Sequence, residues 1–201
     1  MTPPTTREAI LDAALDAMTT FGIARLSLRD VANRAGVSRQ TVYRYFTTKD
    51  EVVAAVILRE EEALLELVRA AGQPHADLRS ALGAALNGVL QAASEHPLLQ
   101  RLLDTEPERL LPFLMSDQAP VLSAATPALT ELLLERVPDL GDARARRAAD
   151  ALTRLVVSWV VNPPADRPEV LAADAAAAFS AGLVAGGAPA PTARESSQAT
   201  V

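Results

Sequence analysis

Arg39, Gln40, Thr41, Tyr43 and Arg44 lie within six consecutive residues, and every one carries a hydrogen-bond donor. Val42 and Phe46 are the apolar members of the run and are four residues apart, so a helix that buries those two turns the donors outward. The chemistry open to such a face is recognition of base edges. Arg grips guanine with two donors, Gln pairs with adenine, and the methyl of Thr touches that of thymine. From Ser38 to Thr48 there is no Asp or Glu to repel a phosphate, whereas a merely solvated helix face usually mixes in acids.

Other chemistries find little support. The histidines are His75 and His96, and neither sits in a metal-binding spacing such as HExxH. There is no GxSxG elbow and no Gly-rich phosphate loop. Carboxylate pairs such as Glu60 with Glu61 read as the solvated face of a helix. With no cysteine, disulfides, zinc fingers, iron–sulfur clusters and thiol nucleophiles are excluded. No enzyme is expected, and no metal or cofactor.

Three capping pairs set the elements that position the donor run. Thr5 with Glu8, Ser27 with Asp30 and Thr48 with Glu51 each place a hydroxyl three residues before a carboxylate, the spacing of a capping box. The first helix is expected from Thr6 to Phe21, with Ile10, Ala14, Ala17 and Phe21 on one face and Gly22 ending it. Leu28, Val31, Ala32 and Ala35 then recur at helical spacing until Gly36 permits a positive φ. Ser38 caps a third helix, and a fourth runs from Lys49 to about Ala71. Helix, glycine-containing turn and helix in this order matches the bihelical DNA-binding unit, although two short helices joined this way also occur in plain helical bundles; the acid-free donor face favours the former.

Charge is distributed to match. Between Gly22 and Lys49 six bases face one acid, leaving +5 there and −11 elsewhere in a chain of net charge −6. One basic island on an acidic body attracts phosphate at a single face. With aromatics at only 3% and an apolar mass of Ala, Leu and Val, the remainder reads as helical. The expected helices are Asp77 to Ser94, Pro97 to Asp104, Pro107 to Met115, Pro127 to Val137, Asp142 to Val161 and Pro168 to Gly186, with Pro97, Pro107, Pro127 and Pro168 at their starts.

The N-terminus lacks the pattern of a signal peptide, and the uncharged stretch Ala175 to Ala193 is too broken by Gly and Pro to span a membrane, so a cytoplasmic location with no membrane partner is expected. The expected organisation is all-α: a helix-turn-helix domain over residues 1–50, a helical effector-binding and dimerisation domain over 51–186, and a disordered tail over 187–201.

The opening ILDAALDAMTTFG, then LSLRDVANRAGVS, RQTVYRYF and TTKDEVVAAV, together about the first sixty residues, resembles the tetracycline-repressor (TetR) family of bacterial regulators. The resemblance implies a three-helix DNA-binding head on a helical body. It implies that Arg39, Gln40, Thr41 and Tyr43 meet DNA, with Tyr43 on a phosphate. Arg29 matches a position that reaches a base and Lys49 a phosphate-contacting lysine. Ser27 and Ser38, which start the two helices, and Arg44 complete the DNA-facing set.

The same resemblance implies a homodimer held by the last two long helices, bound to a palindromic double-stranded operator and released by a small-molecule effector. Leu152, Leu155 and Trp159 on one helix, and Ala178, Gly182 and Gly186 on the next, suit a dimer bundle, although intrachain core is the alternative. An effector cavity among the middle helices is expected to use Leu86, Asn87, His96, Phe113 and Met115 and to take an apolar or amphipathic molecule. A DNA-binding protein that responds to no ligand is the competing reading.

Overall fold

Hydroxyl and carboxylate caps start the helices as their spacing dictates. Thr5 Oγ1 accepts the Glu8 amide at 3.3 Å while Glu8 accepts the Thr5 amide at 2.6 Å. Ser27 and Ser38 accept the amides of Asp30 and Thr41 at 3.1 and 3.0 Å. Thr48 likewise accepts from Glu51 at 3.2 Å, but the Glu51 carboxylate reaches one residue further, to the Thr47 amide at 2.7 Å.

The resulting architecture, in a computed structural model that describes residues 5–73, 75–115 and 120–185, is all-helical among those residues. The head is α1 (Thr6–Phe21), α2 (Leu28–Arg34) and α3 (Arg39–Tyr45). The long α4 (Lys49–Gly72) leads into α5 (Leu78–Glu95), α6 (Pro97–Thr105), α7 (Pro107–Met115), α8 (Pro120–Arg136), α9 (Asp142–Val161) and α10 (Pro168–Ala185), with a short 3-10 turn at Pro138–Leu140. The tail and Gly186 lie outside the described residues.

Two cores hold these helices. In the first, Ile10, Met18, Val31, Val42 and Val52 pack with Leu98, Leu102 and Leu110, so the head shares its interior with α6 and α7 and apolar packing does not divide at residue 50. The second joins α5 to α8, α9 and α10 through Leu82, Leu133, Leu152 and Ala176. A fully buried Leu, Ile or Met contributes about 1.5–3 kcal/mol, which makes both cores substantial. Helix α10 is long and apolar enough to cross a membrane by length and composition alone, and here it lies along α5.

Three expectations need correction. Pro127 does not begin a helix; it lies inside α8, which starts at Pro120. Proline at a first turn and proline within a helix are indistinguishable as residue types, and packing against α7 and α9 keeps this helix intact despite the missing N–H. Phe21 is 44% exposed rather than in the face shared by Ile10, Ala14 and Ala17; the Arg34 guanidinium covers its ring at 5.2 Å. Leu152 is fully buried in the second core, so it is an intrachain core residue out of reach of a second subunit.

Candidate DNA interface and effector cavity

Helix α3 is turned by its two apolar anchors. Val42 and Phe46 are buried in the head, which leaves Arg39, Gln40, Tyr43 and Arg44 exposed and Thr41 half-exposed. The Thr41 hydroxyl lies 2.9 Å from that of Ser38. Ser27, besides capping α2, donates its hydroxyl to Asp30 at 2.5 Å, so both serines are engaged in fixing the ends of their helices. Arg29 is exposed on the first turn of α2. Gly36, between the helices, has φ +66°, the left-handed conformation that ends α2 without strain.

Arg44 stacks over the ring of Tyr45 at 5.3 Å, and Tyr45 is itself 40% exposed. Helical spacing alone does not single out this second tyrosine, which flanks the reading face; its place three residues after Val42 and next to Phe46 marks it as a boundary position. Lys49 opens α4 and donates to the Ala24 carbonyl at 3.1 Å, which pins it beside the α1–α2 loop. Arg34 pairs with Asp16, so its charge is partly spent within the head, whereas Arg25, Arg29, Arg39 and Arg44 stand exposed.

Behind the head, α4, α5, α6, α7, α8 and α9 line a partly open cavity of about 340 Å³, within the range typical of small-molecule sites. Its walls are mainly leucine and valine, and Leu86 and His96 are among them as expected. His96 combines two roles: Nδ1 accepts the Leu99 amide at 3.3 Å as the cap of α6, and Nε2 lies 3.2 Å from Glu60.

Asn87, Phe113 and Met115 are not among the lining residues. On α7 the helical period gives the cavity side to Leu110 and Leu114 and sends their neighbours about 100° away; Phe113 packs into the first core and Met115 is 57% exposed. Asn87 shares a stripe of α5 with Gly83, which faces Ala176, and Gln91, which bonds Glu169 at 3.0 Å, both on α10.

Glu61 also departs from expectation. Far from being a solvated residue, it is only 7% exposed, lines the cavity, and has both carboxylate oxygens buried without a hydrogen-bond partner. Burial, followed by the charge of Glu62, pushes its carboxyl up to about 7. The signal is present in the sequence, since Ile57, Glu61, Leu64, Leu65 and Val68 recur at helical spacing and put Glu61 on the apolar face of α4.

Among the expected dimer residues, Leu155 and Trp159 are half-buried against the second core. Ala178 and Gly182 are exposed, and a Cβ added at Gly182 meets nothing within 4 Å. Ala178 and Gly182, small residues one helical turn apart on α10, thus leave an open strip on the surface.

A helix-turn-helix head with an acid-free donor face, joined through one long helix to a helical body, is the build of a DNA-binding regulator. Residues 10–56 match the family described as bacterial regulatory proteins, tetR family, and residues 77–181 match the bacterial tetracyclin repressor C-terminal domain. The chain is 30% identical to the HTH-type transcriptional regulator AlkX of Mycobacterium tuberculosis over 79% of its length and 76% of the relative's. It is 32% identical to the HTH-type transcriptional repressor Rv3405c of the same species, over 80% and 77%. The solved TetR family repressor AlkX from Dietzia sp. strain DQ12-45-1b, implicated in biodegradation of n-alkanes, superposes with a TM-score of 0.73 at 27% identity, covering 92% of this chain and 98% of the other.

The chain belongs to the TetR family of bacterial transcription regulators. It is accordingly a DNA-binding transcriptional regulator and not an enzyme.

Proposed function

We propose that this regulator is a homodimeric repressor that binds a palindromic operator through α2 and α3 and is released by an apolar or amphipathic molecule in the cavity. The observation that carries this reading is the course of α4. Its first residue, Lys49, is bonded to the head at Ala24, while Ile57, Leu64, Leu65 and Val68 further along the same helix line the cavity. A ligand that shifts α4 therefore moves the reading head. Release requires only that the ligand bind the DNA-free spacing of the two heads more tightly than the bound spacing.

Arg39, Gln40, Thr41, Tyr43 and Arg44 read the operator from α3, with Arg29 beside them, Lys49 on a phosphate, and Ser27 and Ser38 holding the helix starts. The exposed strip through Ala178 and Gly182, with Leu155 and Trp159, forms the contact between subunits. The predominance of Leu and Val in the cavity fits the ligand chemistry suggested by the Dietzia relative's link to n-alkanes. The test combines analytical ultracentrifugation with binding of DNA from the region upstream of the gene. A dimer that protects an inverted repeat with half-sites about 34–36 Å apart is expected; a monomer that binds a single half-site at full strength rejects the reading.

A further inference from the structure

Among the described residues that line this cavity, Glu61 is the one whose side-chain oxygens are buried with no hydrogen-bond partner. The other charged lining residues are engaged or stand toward the rim. Glu60 bonds His96 at 3.2 Å and Arg59 at 3.3 Å. Arg69 pairs with Glu66 at 2.7 Å, and Glu135 of α8 pairs with Arg136 at 3.1 Å. Glu131, also of α8, adds a further acid to the wall. From α9, Thr153 faces the space, but its hydroxyl is committed to the Ala149 carbonyl at 2.9 Å. Among the described residues, no cation of the protein reaches Glu61, both of whose oxygens are buried and unbonded.

A buried carboxylate without a partner is costly, and proteins normally pair such a group. Here the group belongs to a residue that lines a cavity of ligand size walled by hydrocarbon. We infer that the cavity is built for an amphipathic organic cation, whose aliphatic part lies along Leu64, Leu86, Leu102 and Leu129 and whose ammonium group pairs with Glu61. Lining acids outnumber the single lining arginine four to one, so an anionic amphiphile of the same length is disfavoured. This assignment rests on the effector-binding reading above and narrows its ligand class.

The test uses three ten-carbon probes at submicellar concentration, decylammonium, decanol and decanoate, titrated calorimetrically into the full-length protein. Decylammonium is expected to bind at least tenfold more tightly than decanol, with decanoate the weakest. Glu61→Gln, which keeps the shape and removes the charge, should cut decylammonium affinity at least tenfold and leave decanol unchanged.

The wild-type protein supplies a check that needs no variant. Decylammonium keeps its charge between pH 6 and 8, as a lysine does, while Glu61 ionises across that range. Its affinity should therefore rise about tenfold from pH 6 to pH 8, with decanol flat. Binding of all three probes with no preference for the cation, or with decanoate tightest, overturns the Glu61 assignment but keeps the cavity. Failure of every probe to bind overturns the effector reading itself.

Discussion

The carboxylate of Glu106, at the junction of α6 and α7, accepts the backbone amide of Ala24 in the α1–α2 loop at 2.8 Å, across 82 residues of sequence. Lys49 holds the carbonyl of the same residue at 3.1 Å. The loop that leads into the candidate reading helices is thus gripped at Ala24 by the α6–α7 junction on one side and by α4 on the other. Glu106 is 9% exposed and also pairs with Arg109 at 3.2 Å.

Removing the grip should loosen the head. Glu106→Ala leaves the Ala24 amide without its acceptor and is expected to lower stability by about 1–3 kcal/mol in urea unfolding. Gly22→Ala should destabilise for two reasons: φ is +82°, and the new Cβ overlaps Glu106 Oε1. Combining the two changes removes the clash but not the backbone strain. The double variant should therefore lose less than the two single losses added together.

Phosphate contacts and base contacts should separate by salt dependence. Lys49→Ala is expected to weaken binding to operator and random DNA alike and to reduce the log–log salt slope by about one for each phosphate it no longer neutralises. Substituting Gln40 or Arg44 should instead change the preferred base, by about 1–3 kcal/mol per good pairing. Fluorescence anisotropy with operator and scrambled duplexes over a salt series reads both effects. Equal weakening on both duplexes for all three variants contradicts the assignment of Gln40 and Arg44 as readers.

The stability of the DNA-free protein should fall as pH rises from about 4.5 to 7. Glu61 titrates near its ordinary value of 4.5 in the unfolded chain and at about 7 in the native state, so the folded form holds the extra proton in between. Its stabilising contribution is complete below the unfolded value and lost as pH passes the native one. The groups around it, Glu60, Glu62, His96, Glu131 and Glu135, offer no free cation to reverse that sign. Glu61→Gln should remove most of a loss on the order of 2–3 kcal/mol, visible as a higher melting temperature at pH 8 and little change at pH 4.5. An unchanged difference between those two pH values in the variant assigns the pH dependence elsewhere.

Gly182 offers a clean test of the subunit contact. Its Cβ direction is open, so the first side-chain atom of Gly182→Arg meets nothing. The Arg144 guanidinium that bonds the Gly182 carbonyl at 2.9 Å is the neighbour the new side chain must avoid, and in a helix Arg favours the fold over Gly by up to about 1 kcal/mol. If α10 pairs with its symmetry mate through this strip, the variant should sediment as a folded monomer and lose operator affinity sharply. A dimer of unchanged strength places the contact on another face.

The head was legible residue by residue because its determinants are local. Thr5, Ser27, Ser38 and Thr48 each cap a helix three residues ahead, Gly36 ends α2, and Val42 and Phe46 orient α3, all within a single turn or a helical period. Nothing distant has to be known to place Arg39, Gln40 and Arg44 on the outer face. The interior of the body depends on how whole helices rotate against one another, and there residue type misleads. Phe113 and Met115 are as apolar as Leu110 and Leu114, yet the rotation of α7 gives the cavity to the latter pair. Leu152 suits a dimer seam in composition, but α9 turns it wholly into the core. Glu61 reads as a surface charge when taken with Glu60; its spacing already puts it on the apolar face of α4, but that its carboxylate is buried and unbonded follows from how the surrounding helices pack. The sequence by itself determined a helix-turn-helix that presents donors to DNA, because hydrogen-bonded caps and helical periodicity act over a few residues. Tertiary structure alone decided the cavity and the Glu106–Ala24 link, because burial and long-range hydrogen bonds exist only once distant helices meet.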